Sequence, residues 1–599
     1  MNRRTGEQGP RRLPLLVGTA MGLVAILATF LVTREFSGGS GPDCGVRLEV
    51  NSSTEKGDLL AELADKYNAS GRELADGKCA RVTVSETSSG VAMDALAQGW
   101  DEKRDGAPEP QAWTPTSSLW LTLLTEKGTA SDRTVLTGDE PVSLATSPLT
   151  IAMPRPMAEA VGWPEKKIGW RDILSLTKKG WGSLGHPEWG RFSLGKDNPH
   201  TSTSGLAATV AAFYAATGRS SDLTLDQVQD PKSRAFVSGV EAGVLHYGAD
   251  ATAYMANLAE ADAKGQALSY ASAVTVQEQL IHLYNQGSPT GDVKLLGKGR
   301  KPKVPLVAVH PADGTLMLDH PFVVLPSADR EQRAAAADFS AFLLQAAQQR
   351  RFQQHGFRDH EGNAGRELAA SVSLPDGGKR KLSLIDPPSP QVLGAILDSW
   401  DELRKKARVL LVMDVSGSMN QSAGGGQSRM EAAKKAAVAA LGLYHPDDEV
   451  GLWAFSTETA DHREPYREIL PPRPIKAGKG QLATAINGLS AEGGTALYAT
   501  VRAAQQAALS GLDTDRINAV VVLTDGKNEY PADNDLDALL RDIDATQLER
   551  SVRVFTVAFS DQADFDTLSE ISAATKATSY DARDPAVIDK VMLSVISNF

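Results

Sequence analysis

Val409-Leu-Leu-Val-Met413 is an unbroken apolar run that passes directly into Asp414-Val-Ser416-Gly-Ser418. Five consecutive apolar residues, two of them valine, specify a strand buried on both faces, and such strands belong to parallel sheets covered by helices on each side. This stretch commits the C-terminal part of the chain to an α/β architecture. It also sets one carboxylate and two hydroxyls at alternate positions just past the carboxyl end of the strand, where open α/β sheets bind ligands. Oxygen donors of this kind suit a hard divalent cation such as Mg²⁺. Taken alone, Asp-x-Ser-x-Ser serves equally well as a polar turn.

Two further stretches bear on that choice. Ala519-Val-Val-Val-Leu-Thr-Asp525-Gly526 is a second buried strand ending in a carboxylate and a glycine turn, and Glu492-Gly-Gly-Thr495-Ala-Leu-Tyr498 brings a threonine to the start of a helical run. In this order the three loops resemble the metal-ion-dependent adhesion site (MIDAS) of the von Willebrand factor A (VWA) domain, and the resemblance covers residues 404–599. It implies a doubly wound, Rossmann-like fold in which Ser416, Ser418 and Thr495 contact Mg²⁺ or another divalent cation directly, while Asp414 and Asp525 act mostly through water. It also implies a protein partner that offers an Asp or Glu to the ion. One departure is residues 420–428, where three consecutive glycines lengthen the approach to the first helix.

At 599 residues the chain exceeds what one hydrophobic core supports, and about two to four domains are expected. A net charge of -12 argues against general nucleic-acid binding, which needs a basic surface. Arg3, Arg4, Arg11 and Arg12 precede Leu13–Val32, a run without a charge. Its length, about 30 Å as a helix, spans the hydrocarbon core of a bilayer. A secretory signal peptide, the rival reading, would carry a shorter apolar region and a small-x-small cleavage site. Here Thr33-Arg-Glu-Phe36 follows instead, and no lipid-attachment box precedes Cys44. The expectation is an uncleaved signal anchor over 13–33, with the basic segment 1–12 cytoplasmic and the bulk of the chain on the extracellular side of a bacterial cell membrane.

Residues 34–45 read as a flexible Ser/Gly spacer. Cys44 and Cys79 are the two cysteines of the chain, both on the exported side and without a histidine nearby. A disulfide between them suits an oxidising compartment and is worth about 4 kcal/mol by chain entropy; the alternative is two unpaired buried thiols.

From Val46 a strand, a Ser/Thr-rich turn and a helix recur three times. The turns are Asn51-Ser-Ser53-Thr54, Ser85-Glu-Thr-Ser-Ser89-Gly90 and Thr114-Pro-Thr-Ser117-Ser118. Unpaired N–H groups at helix starts, with hydroxyls beside them, can cradle an anion or a small polar molecule; the same hydroxyls also act as plain caps. Later come Leu149–Met153 as a strand crossing to a second lobe, and His200-Thr-Ser-Thr203-Ser-Gly205 opening an Ala-rich helix. Leu316–Pro321 returns toward the first lobe, and an amphipathic helix over 334–354 ends at His355-Gly-Phe357. This order resembles a type II extracellular, or periplasmic, solute-binding protein over residues 46–358. The resemblance implies two lobes around a cleft and suggests Ser53, Ser89, Ser117, Thr203 and Tyr270 as ligand-binding candidates for a small polar or anionic solute. Residues 216–248 and 285–305 read as extra or irregular material.

Residues 359–403 form a connector. Its last part is helical, with Leu393, Ile396, Leu397 and Leu403 along one face, and whether it packs on the VWA domain or bridges the domains stays open. The sequence holds no Gly-x-Ser-x-Gly elbow, no Walker-type loop and no His-Glu-x-x-His. The expected function is therefore non-enzymatic extracellular binding or adhesion, and the alternative is a transport-linked receptor with an accessory VWA domain.

Overall fold

The computed structural model describes residues 45–599 except 76, 132, 249, 379–380, 425, 458–463, 545–551 and 585–586. The expected cytoplasmic segment, the anchor, Cys44 and nearly all of the spacer lie outside the described residues. Among the described residues no helix is long and apolar enough to cross a membrane.

Residues 46–358 fold as two lobes. In the first, β1 (Val46–Ser52), β2 (Ala80–Glu86) and β3 (Ala112–Thr114) run parallel, and β11 (Pro321–Val324) pairs antiparallel with β3 and with β4 (Val142–Ser143). Val46, Leu48 and Val50 alternate into the core, where Leu59, Leu60, Leu63 and Tyr67 of the Thr54–Ala69 helix meet them. Period-2 strands and period-3.6 helices thus share one apolar layer. The second lobe is built on β5 (Ser147–Pro154), buried at every position, in the order β10 (Met317–Leu318), β5, β8 (Ala273–Gln277), β6 (Leu194–Asp197), β7 (Val244–Gly248), with β9 (Leu306–Val309) also against β5. The chain passes between lobes from β4 to β5 and returns from β10 to β11, where the sequence placed both crossings.

Two expectations need correction. Residues 216–248 are regular: Asp230 caps the Pro231–Glu241 helix by accepting from the Lys232 and Ser233 N–H groups, and Val244–Gly248 completes the sheet of the second lobe. The single helix expected over 334–354 is two, Arg330–Leu343 and Ala346–Gln354, because Gln345 is extended and breaks the run.

The C-terminal domain has the order β16 (Tyr466–Pro474), β15 (Glu449–Phe455), β12 (Lys406–Asp414), β17 (Arg516–Thr524), β18 (Arg553–Ala558), β19 (Ser579–Asp581), parallel except for β16. The strand that opens with Lys406 is therefore central, which is why its apolar run has no polar face. The Ser422–Gly424 and Gln427–Ser428 segments pair as a short hairpin before the Arg429–Ala440 helix.

The connector helix, Pro390–Leu403, settles the open question about its packing. Val392, Leu393, Ile396, Leu397 and Trp400 are buried, and the helix lies against Leu119–Ala130 of the first lobe and Thr203–Thr217, Leu225–Gln229 and Pro231–Glu241 of the second. The C-terminal domain itself sits on the second lobe. The Tyr247 N–H donates to the Asn598 carbonyl at 3.0 Å, Asn257 Nδ2 to Thr578 Oγ1 at 3.0 Å, and the Lys405 N–H to the Tyr247 hydroxyl at 3.2 Å.

Candidate functional site

The five residues expected around a metal come together at the carboxyl ends of β12 and β17. Asp414 Oδ1 accepts from the Ser416 N–H at 2.7 Å, and Asp414 Oδ2 accepts from Thr524 Oγ1 at 2.5 Å. Ser416 Oγ lies 2.9 Å from Ser418 Oγ, which donates to Asp525 Oδ1 at 2.7 Å. The threonine loop is tied down by the Glu492 N–H donating to the Val415 carbonyl and the Gly417 N–H to the Gly493 carbonyl, both at 2.7 Å. Thr495 then abuts Gly526 so closely that a Cβ there would stand 2.7 Å from Thr495 Oγ1. A side chain at that position would displace the hydroxyl.

Asp414 and Asp525 are fully buried, Ser416 and Thr495 nearly so, and Ser418 half-buried. Ser418 and Thr495 open into a depression of about 520 Å³ whose wall includes Gly526, Lys527, Glu529 and Arg583. Burial, reinforced by the nearby Asp525 charge, pushes the Asp414 carboxyl up to about 7. Arg429 Nη1 donates to Asp525 Oδ2 at 2.9 Å, in a pair that is itself buried. Among the described residues, therefore, Asp525 has a cation and Asp414 has none. Uncompensated charge in such a place is costly, and a divalent cation seated among these hydroxyl and carboxylate oxygens would supply what is missing. The donor set fits the ion.

The cleft candidates divide. Ser89 pairs with Thr116 at 3.2 Å, and Thr203 Oγ1 accepts from Trp120 Nε1 at 2.7 Å; both line a chamber between the lobes. Ser53 lies just behind it, donating to Glu55 Oε1 at 2.8 Å and accepting from Lys56 Nζ. Burial lowers the Lys56 amine to about 8. Ser117 accepts from the Leu119 N–H at the start of the next helix and does not line the chamber. Tyr270 is elsewhere. It precedes β8, whose far end at Gln277 reaches the chamber, so Tyr270 stands at the opposite edge of the sheet, its ring 6.0 Å from the Arg553 guanidinium of the C-terminal domain.

Residues 48–358 match the family model of bacterial extracellular solute-binding proteins, and residues 409–527 match that of the von Willebrand factor type A domain. The chain belongs to the bacterial extracellular solute-binding proteins. A VWA domain follows its solute-binding domain. Among solved structures it is similar to a von Willebrand factor type A protein from Catenulispora acidiphila, with 21% identity, 32% of this chain and 42% of that one covered, and a TM-score of 0.27. It is also similar to a periplasmic binding protein from Actinobacillus pleuropneumoniae with fructose-6-phosphate bound, with 14% identity, 61% and 100% coverage, and a TM-score of 0.39. A third is an iron- and citrate-bound protein from Trichodesmium, with 10% identity, 60% and 99% coverage, and a TM-score of 0.36. No curated protein matches this sequence.

In the VWA domain, sequence reasoning missed Arg429 and Thr524. Arg429 follows Ser428, whose hydroxyl caps the Arg429–Ala440 helix in a reciprocal pair with Glu431. A basic residue at a helix start opposes the macrodipole and is misplaced for stability alone, and that was the available signal. In the solute-binding domain the acidic character of the cleft went unread, because Glu55, Asp197 and Asp250 come from three distant segments.

Proposed function

We propose that this protein is a non-enzymatic extracellular binding protein whose VWA domain holds Mg²⁺ and captures a protein partner through an Asp or Glu side chain. Its solute-binding domain takes a small polar solute. The observation that carries the metal half is the buried Asp414 carboxylate, short of a cation, beside three converging hydroxyls. Ser416, Ser418 and Thr495 would hold the ion, with Asp414 and Asp525 orienting water or the hydroxyls around it. An ion held mainly by neutral hydroxyls keeps net positive charge toward the open depression, and an anionic oxygen is its natural last ligand. Calorimetric titration with Mg²⁺ should show one site in the VWA domain, and chelator should release captured partner. Capture that persists unchanged in chelator would overturn the proposal.

The protein would act at the cell surface, anchored by residues 13–33. After alkaline washing the full-length chain should stay in the membrane fraction with its first residues intact, and a mature N-terminus near residues 38–44 would show a cleaved signal instead. A Cys44–Cys79 disulfide belongs to the same placement. The Val46 N–H donates to the Cys79 carbonyl at 3.3 Å, so β1 begins beside Cys79. Peptide mapping without reduction should recover the two cysteines linked, and native labelling of both thiols would exclude the bond.

A further inference from the structure

The two lobes are shut against each other. Thr54 Oγ1 of the first lobe donates to Asp250 Oδ2 of the second at 2.6 Å, the Gly90 N–H donates to the Thr201 carbonyl at 3.0 Å, and Gln279 Nε2 donates to the Glu55 carbonyl at 3.0 Å. What remains between them is a chamber of about 20 Å³. Pockets for organic ligands run to about 300–1,000 Å³, whereas a single water needs only about 10–15 Å³ on this measure. The closed chamber therefore has room for one water or one ion.

Its walls mix polar side chains with the apolar Ala251 and Leu280. Hydroxyls of Thr54, Ser89, Thr116, Thr203, Ser204 and Thr252 line it, together with the carboxylates of Glu55 and Asp250. No cysteine or histidine does, which leaves no soft or borderline ligand. Ser204 is 4% exposed, and its hydroxyl has no hydrogen-bond partner among the described residues.

The charge around the chamber is negative. Among the described residues, no basic side chain forms an ion pair with Asp250, or with Asp197, which accepts from Ser202 behind it at 2.8 Å. Lys56 comes within 4.0 Å of Glu55, but its Nζ is turned away onto Ser53 and the carbonyls of Thr114 and Pro115 at 2.8 and 3.3 Å. His320 Nδ1 stands 3.6 Å from Glu55, and burial keeps that imidazole neutral. An anion in the chamber would face two carboxylates, while the nearby Lys56 ammonium is held on Ser53 and the two carbonyls and does not line the chamber. A cation would meet two carboxylates, a free hydroxyl and further hydroxyl oxygens.

We propose that the interlobe cleft binds a single hard cation of the Ca²⁺, Mg²⁺ or Na⁺ class, held by Asp250 and Glu55 with Ser204 and the neighbouring hydroxyls. This rests on the solute-binding reading of residues 46–358 and sets the charge and size of the solute. Asp250 also caps the Ala251–Ala263 helix, accepting from the Thr252 N–H at 2.9 Å. The cation would thus join that helix of the second lobe to the start of the Thr54–Ala69 helix of the first.

The test is calorimetric titration of the chelator-stripped full-length chain with CaCl₂, MgCl₂ and NaCl, and separately with sulfate and phosphate. It is run in wild type and in a Thr495→Ala background that disables the VWA site. Asp250→Asn keeps a good N-cap and so should fold; Glu55→Gln is the second variant, and thermal unfolding checks both. One cation per chain should bind in the Thr495→Ala background and weaken about 100-fold or more when either carboxylate is neutralised. Wild-type cation binding that Thr495→Ala removes completely would overturn the cleft site while upholding the VWA site. Cation binding retained in Thr495→Ala but lost in Asp250→Asn would uphold the cleft site whatever happens at the VWA domain. Sulfate or phosphate binding without cation binding, or cation binding indifferent to both carboxylate variants, would also overturn the cleft proposal.

Discussion

Replacing Thr495 with alanine should weaken Mg²⁺ binding by the VWA domain about 100-fold or more, and partner capture with it. Loss of groups that merely orient metal ligands already costs about 10–100-fold, and Thr495 would touch the ion itself. The fold should hardly respond. Among the described residues Thr495 Oγ1 makes no hydrogen bond, so truncation removes little beyond a methyl group worth about 1 kcal/mol. Asp414→Asn is the instructive contrast. Asp414 is fully buried and accepts from both the Ser416 N–H and Thr524 Oγ1. Asparagine offers one carbonyl oxygen in place of two carboxylate oxygens, leaving one donor unpaired at about 1–3 kcal/mol, partly offset because a carboxylate no longer has to be buried. Thermal unfolding with and without Mg²⁺, run beside partner capture, separates the two variants. If Thr495→Ala captures partner as well as wild type does, the hydroxyl is not a ligand and the metal assignment fails.

The second large effect concerns how the domains hold each other. Trp400, on the connector helix, is 1% exposed; its ring meets Tyr247 edge-on at 5.1 Å, His200 at 5.7 Å, and the Lys196 ammonium at 5.4 Å. Lys196 in turn pairs with Glu241 at 2.5 Å, both side chains almost completely buried, and Tyr247 donates to the same carboxylate at 2.7 Å. Trp400→Ala should cost about 3–5 kcal/mol. Its Nε1 has no hydrogen-bond partner among the described residues, so the loss is one of packing rather than hydrogen bonding. Because this cluster joins the connector to the lobe that carries the VWA domain, the variant should unfold in two calorimetric steps, and Thr495→Ala should remove the Mg²⁺ shift of the VWA step alone. A single transition at the wild-type midpoint would show that the domains are coupled through other contacts.

Much of this architecture was legible in the sequence. The Val409–Met413 run could only be a strand covered on both faces, and a covered parallel strand delivers the residues that follow it to one edge of the sheet. Asp414, Ser416, Ser418, Thr495 and Asp525 could be grouped for that reason, since each follows a strand or opens a helix at the same edge. The repeated strand, hydroxyl turn and helix after Val46 likewise announced the first lobe, and both crossings between lobes fell where apolar strands marked them.

Packing between segments far apart in sequence decided the rest. Tyr270 was misplaced because a short segment shows its strand but not which end of that strand faces the other lobe, and β8 runs away from Tyr270 toward the cleft. Arg429 reaches Asp525 across 96 positions, and Asp250 meets Thr54 across 196. The sign of the cleft charge and the closure of the lobes depend on contacts of that kind. Side-chain periodicity is a local property, set by backbone geometry within a few residues, so the sequence alone determined the elements and the edge on which they carry their oxygens. The charges that face one another across a cleft or a domain boundary depend on how whole elements pack, and only the tertiary structure decided them.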